Sequence, residues 1–415
     1  MIAEERLRWM VDGSARAPLD DAEIERHVAP ALLAMSGGPG AVNAAMAALG
    51  PVTLRRITSS QPDRAQAAVR TGSGDHLLTV QVDAAGLVAD MQLTSDEPSP
   101  GSWTDIDRRL ASLAARVSFA AATIGPGGTC AQVHGVAAET PRPIGSAFKL
   151  YVLGALAQAA AEGKASWQEP LAIRDDRKSL PSGRMQDVPA GTAFTLAEYA
   201  DAMISLSDNT ATDHLMGRLG RDAVQRQLVL FGHRTPEANI PFPTTRAFFR
   251  LKFDSARADE YLALPEDRRA AELQALEDLP LPDAPEAWSR PERIDQIEWF
   301  ASPMDIVRAF AGLYRFDMPQ VGHALSLNDD GLALDPSQFP TVWYKGGSEP
   351  GVVTLNYLAC TADGRVLAVS LMVSDPRTAS SGLEMSLKCQ PIIRGAFELL
   401  KQCSDGAAAP TDHHP

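Results

Sequence analysis

In the C-terminal three-quarters of the chain, strand-forming runs occur only at the two extremes, and this restricts its folds more than any other feature. Arg116–Ile124 and Cys130–Ala138 read as strands, an Ala- and Leu-rich helical region follows from Ser146, and strand signals return only at Val352–Cys360 and Arg365–Val373. A closing helix is expected over Pro391–Leu400. Strands need partners, so the two ends must meet in one sheet with the helical block between them. Residues 251–298 stand apart as a charged insertion, helix-like over Pro265–Leu279 and then Pro-rich.

Ahead of this lies a smaller pattern. Leu7, Met10 and Val11 fall at helical spacing, Pro18-Leu-Asp-Asp suits a new helix before Ile24, Val28 and Leu32, and Gly37, Gly38 and Gly40 break it. Four short strand-like runs follow, Val52–Ser59, Arg64–Arg70, His76–Asp83 and Leu87–Leu93. Helices followed by a meander make a small α+β domain over residues 1–101. The Pro-, Ser- and Gly-rich stretch 96–102 reads as a linker, residues 102–404 as the main domain, and 405–415 as a disordered tail.

Several functions are excluded early. The chain carries a net charge of −14, a field that repels phosphate backbones, so no nucleic-acid partner is expected. No stretch approaches the roughly 18 apolar residues of a membrane helix, so no membrane partner is expected either. Cys130, Cys360, Cys389 and Cys403 have neither metal-ligand nor redox spacing, so metal and cofactor are both expected to be none. His27 and His76 are expected to be surface or capping residues. The opening MIAEERLRWMVDG is charged and lacks an apolar export region, which points to the cytoplasm and leaves a processed secreted form open. The sequence is silent on oligomeric state.

Three short elements carry chemistry. Ser146 and Lys149 are three apart at the start of a helix, so they share one face and the amine reaches the hydroxyl. Phe148, Leu150 and Tyr151 bury that helix, which favours a neutral lysine able to take the serine proton. Ser207-Asp208-Asn209 sits between two helical stretches, either as a helix cap or with its hydroxyl and amide facing a cleft. Lys345-Gly346-Gly347-Ser348 precedes the strand Val352–Cys360. Each is weak alone, but together they occur in one order at compatible separations.

This combination resembles the class A β-lactamase and penicillin-binding protein superfamily over about residues 103–404. The whole chain is similar to the cephalosporin-esterase-like family of the clavulanic acid biosynthesis cluster and its mycobacterial lipoprotein relatives, with Thr244–Lys252 as a shared stretch. The resemblance implies an α+β fold, with an N-terminal cone similar to steroid isomerases or nuclear transport factors and a C-terminal domain of antiparallel sheet and helical block. It makes Ser146 the nucleophile, Lys149 its base and Ser207 a proton relay to the leaving group. Asn209, Gly346, Gly347 and Ser348 would contact substrate. Lys345 would attract a substrate carboxylate and keep Lys149 neutral, while the backbone N–H groups of Ser146 and Ser348 would form the oxyanion hole.

Two departures stand out. Gly346 occupies a place where Thr or Ser is usual, with Ser348 as the available substitute. The Glu-x-x-Leu-Asn element that supplies the deacylating base is missing: Pro241–Phe253 has no Glu, and neither Glu286, Glu292 nor Glu298 is followed by Leu-Asn. The deacylating carboxylate is therefore expected to be absent. The expected function is a serine hydrolase acting on a small ester or β-lactam-like substrate, an esterase with weak β-lactamase activity. The alternatives are a true β-lactamase or D-alanyl-D-alanine carboxypeptidase, and a non-catalytic β-lactam-binding protein.

Overall fold

The computed structural model describes residues 1–36, 38–72, 74–180, 182–282, 288–378 and 382–403. The expected tail and Glu286 lie outside the described residues. The chain divides into two compact units, residues 1–99 with 331–333, and residues 100–330 with the chain from 334 onward.

In the first unit a helix, Ile2–Ser14, buries Ala3, Leu7, Met10 and Val11. Their spacing is that of one helical face. Asp20 caps the helix Asp21–Glu25 by accepting from the Ala22 amide. Of the glycines expected to break the helical run, Gly37 lies outside the described residues, Gly38 starts a further helix, Pro39–Leu49, with Pro at its first position, and Gly40 lies inside that helix. Strands β1 (Thr53–Ser60), β2 (Arg64–Thr71), β3 (Gly74–Val82) and β4 (Val88–Ser95) form an antiparallel sheet in sequence order. Inward residues alternate, with Ala65, Ala67 and Val69 on β2 and Leu78, Val80 and Val82 on β3 in one core with the first helix. His76 falls in step with the buried positions of β3 and is itself buried, contrary to its expected surface position. His27 is half-buried and stacks on Trp9.

The second unit contains the sheet drawn from both ends. Strands β5 (Arg116–Ile124) and β6 (Cys130–Val136) come from its start, and β7 (Thr341–Tyr344), β8 (Gly347–Glu349), β9 (Val352–Cys360) and β10 (Val366–Ser374) from its end. The order is β7-β9-β10-β5-β6, with β8 also pairing β9, and every pairing is antiparallel. β10 is buried along its whole length because the helices Pro303–Arg315 and Gly382–Gln402 both pack on it and on β5. The closing helix is therefore longer than the expected Pro391–Leu400. Pro391 lies inside it rather than at its start, buried in the packed helix.

The insertion is less separate than its composition suggests. The helix Thr245–Phe253 runs through its expected start at 251, and the helices Ser255–Ala263 and Glu266–Glu277 place Ala258, Leu273 and Leu276 in the main core. The amides of Thr245 and Arg246 donate to Asp213, which fixes this helix to the neighbouring helix Asn209–Leu219. The four cysteines are free. Among the described residues no helix is long and apolar enough to cross a membrane, and no group of three or more His, Cys, Asp or Glu could hold a metal ion.

Candidate active site

A 3-10 turn, Gly145–Phe148, runs directly into the helix Lys149–Ala161. Gly145 takes φ +47°, a conformation that favours glycine, and so sets Ser146 at the helix entrance. Lys149 is fully buried at the first turn. Its Nζ lies 3.0 Å from Ser146 Oγ and 3.1 Å from Ser207 Oγ, and donates to Ser207 O at 2.6 Å and Asn209 Oδ1 at 2.7 Å. A neutral amine has two N–H bonds and one lone pair. With both N–H groups engaged by the two carbonyl oxygens, the lone pair is left for the Ser146 hydroxyl. Burial holds Lys149 well below the usual lysine range, and the nearby charge of Lys345 lowers it further.

Ser207 follows the helix Leu196–Ser205 and has φ +55°, a strained value for a residue with a Cβ. Asp208 is a genuine helix cap: one carboxylate oxygen accepts from the Ala211 amide and the other from the Arg184 and Met185 amides. The cap holds Ser207 and Asn209 toward Lys149. Asn209 Nδ2 donates to Leu180 O, so both ends of this amide are committed, and Asn209 positions Lys149 while lining a cavity beside Ser146.

Lys345 Nζ donates to Ser207 Oγ at 3.1 Å and to Gly346 O at 2.8 Å. Burial lowers its pKa to about 7 even though Asp330 pulls it upward. A Cβ on Gly346 would lie 2.0 Å from Tyr344 Oη, so the tyrosine hydroxyl, hydrogen-bonded to Asp330, fills the space of the expected Thr or Ser side chain. A Cβ on Gly347 would lie 2.2 Å from Ile144 O and 2.6 Å from the Ser146 nitrogen. Glycine there lets β8 lie against the nucleophile turn and brings the Ser348 amide beside Gly145. Gly347→Ala is expected to part the amides of Ser146 and Ser348, and, with these as the oxyanion donors that the resemblance implies, to lower the rate of Ser146 acylation by about 10²-fold or more. Stopped-flow release of p-nitrophenol measures it.

Two cavities meet at Ser146, Ser182 and Ser348. One, of about 390 Å³, contains Ser207, Lys345, Asp330 and Tyr344. The other, of about 320 Å³, contains Asn209, Phe148, Phe248, Trp299 and Glu298. A larger hollow of about 950 Å³, among Ile124, Tyr314 and Trp343, holds none of the motif residues.

The second cavity does contain carboxyl groups. Glu298 is buried there, accepting from the Trp299 amide at 2.6 Å and from the amide of Gly145, the residue before Ser146. Its carboxyl group is hydrogen-bonded to that of Glu349, whose other oxygen accepts from Lys252 Nζ at 2.7 Å. Burial pushes both carboxyls up, Glu298 further because the charge of Glu349 adds to the effect. Two acids this close retain one proton between them, so with Lys252 the cluster is neutral overall. Glu292 contributes its carbonyl to Lys252. Sequence reading missed Lys252 and Glu349; the signal for Lys252 was its place one helical turn from Phe248 and Phe249, the surroundings of a buried lysine.

The sequence profile described as the beta-lactamase enzyme family matches residues 103–321, more than half of the chain and ending before Lys345. No protein of curated function matches the chain. Among solved structures, a β-lactamase from Sphaerobacter thermophilus is 19% identical with a TM-score of 0.50, covering 72% of this chain and 97% of its own. A mutant of the class A β-lactamase of the last common ancestor of Gram-negative bacteria is 16% identical with a TM-score of 0.50, covering 72% of this chain and 98% of its own. These likenesses show the fold.

Proposed function

Because this chain belongs to the beta-lactamase enzyme family, we propose that it is a serine hydrolase acting through an acyl-enzyme on Ser146, with small esters as its principal substrates. The observation that carries this reading is the buried Lys149 amine, 3.0 Å from Ser146 Oγ with its N–H groups committed elsewhere.

In the proposed reaction Lys149 takes the Ser146 proton as Oγ attacks the carbonyl, and the amides of Ser146 and Ser348 hold the oxyanion. The proton passes through Ser207 to the departing alcohol. Water then attacks the acyl-enzyme, giving its proton to the Glu298–Glu349 pair, and the tetrahedral intermediate expels Ser146 Oγ, which takes up the proton that the pair received from water, so that Lys149 and the pair both end in their starting states. Esters are favoured over β-lactams by the state of Lys345. A penicillin carries a carboxylate, and here its cationic anchor has a pKa lowered to about 7 and lies beside the Asp330 carboxyl, while the hydroxyl that fills the space at Gly346, that of Tyr344, is already hydrogen-bonded to Asp330. A second reading, a true β-lactamase, is favoured by Glu298 within the nucleophile's cavity. Steady-state hydrolysis of an activated ester and a penicillin by one preparation separates them. The expected result is a higher kcat/KM on the ester; efficient penicillin turnover would favour the second reading.

Kinship with the cephalosporin-esterase-like family is part of this proposal. So is a steroid-isomerase-like or nuclear-transport-factor-like cone for residues 1–101, supported by helices followed by a four-stranded antiparallel meander.

A further inference from the structure

The two cavities at Ser146 differ in chemistry, and the catalytic groups tell them apart. Ser207 and Lys345, the groups that would serve a departing alcohol, line only the polar cavity. The acyl arm of a substrate bound at Ser146 is therefore directed into the other one. Its walls include Phe148, Phe248, Phe249, Phe253, Trp288 and Trp299. These rings brace one another: Trp299 stacks on Phe148 at 3.8 Å and on Phe248 at 4.7 Å between centroids, and Trp288 meets Phe253 edge-on at 5.2 Å. Phe249 and Phe253 come from the helix Thr245–Phe253, anchored by Asp213, so the walls rest on a fixed element.

We propose that this aromatic cavity is an acyl-group pocket, and that the preferred substrates are esters of neutral aryl-alkanoic acids, of the phenylacetyl type, rather than acetates. This rests on the serine hydrolase reading. Three considerations set the class. A cavity of about 320 Å³ is of ligand size and an acetyl methyl occupies a small part of it. Aromatic walls reward a ring by apolar burial and by offset or edge-to-face contacts. Among the described residues, the charged groups in or behind the wall, Lys252, Glu349 and Glu298, are already compensated among themselves, so an anionic acyl arm would face buried carboxyls whose cation is already engaged.

The test is a set of p-nitrophenyl esters sharing one leaving group: acetate, cyclohexylacetate, phenylacetate and hemisuccinate. For each, kcat/KM is divided by the spontaneous hydrolysis rate, and intact mass confirms acylation at Ser146. Phenylacetate is expected to exceed acetate by about 10- to 100-fold, the scale on which burying one such group discriminates. It should also exceed cyclohexylacetate, and hemisuccinate should fall below acetate. Trp288→Ala should lower the phenylacetate-to-acetate ratio about tenfold, and Phe253→Leu gives the same reading if the first variant does not fold. Ser146 acylation with a ratio near one, or preference for hemisuccinate, overturns the pocket assignment and leaves the hydrolase reading standing. Failure of every ester to acylate Ser146 overturns both.

Discussion

Lys149→Ala is expected to be as inert as Ser146→Ala, each losing about 10⁴-fold or more in acylation, because members of one catalytic unit do not contribute separately. The lysine side chain joins every element of the site: its amine lies within 3.1 Å of both serine hydroxyls and is held by Ser207 O and Asn209 Oδ1. Labelling of Ser146 by a serine-directed phosphonate, followed by intact mass, measures the loss. Most of the wild-type labelling rate surviving in Lys149→Ala would show that another base operates. The pH profile carries the same information with a definite sign. Only the neutral amine accepts the serine proton, so acylation falls as pH drops through the depressed pKa of Lys149. Since Lys345 contributes to that depression, Lys345→Met should let Lys149 hold its proton to higher pH and move the limb upward. A limb that stays in place would remove Lys345 from the electrostatics of the base.

Glu298→Gln is expected to separate the two halves of the reaction. Acylation should proceed, because the hydrogen bonds of Lys149 run to Ser146, Ser207 and Asn209 and those of Glu298 to other groups, while deacylation should slow by about 10²–10⁴-fold, the usual worth of a general base. The acyl-enzyme should then accumulate, visible as a mass increase and as a burst of alcohol equal to one per active site. Glu349→Gln should produce a smaller slowing, since it acts on the proton shared with Glu298 and on the ion pair with Lys252. Deacylation unchanged in Glu298→Gln would mean that another group, Lys149 or Ser207, activates water. A misfolded variant is recognised by failure of the burst itself.

These predictions draw on different kinds of information. The proximity of Ser146 to Lys149, and of Ser207 to Asn209, was legible because it is tied to short spacings, whereas Lys345 was set beside them only by the resemblance. A hydroxyl and an amine three apart on a helix face each other whatever the rest of the chain does. The sheet closed from both ends was legible too, since Val352–Cys360 and Val366–Ser374 are too apolar to be left unpaired on a surface. The expected strand at Val352–Cys360 coincides with β9, while the closing helix did not begin at Pro391. A proline read as a start signal was tolerated within a helix whose position is set by packing on β5 and β10.

What the sequence determined by itself was the set of local constraints: Ser146 and Lys149 on one helix face, a Ser-Asp-Asn run suited to a helix start, and which strands must be buried. What only the tertiary structure decided was the company those residues keep. Lys252, Glu298 and Glu349 come from a helix, the end of an insertion and a strand edge, and Glu349 lies 97 residues beyond Lys252. No periodicity links them. They meet because burying a charge is tolerable only beside its counter-charge, so the aromatic cavity and its carboxyl pair had to assemble together around one lysine. Burial depends on the whole fold, and so do the ionisation states it imposes on Lys149, Lys345 and Glu298, from which the chemistry of the site follows.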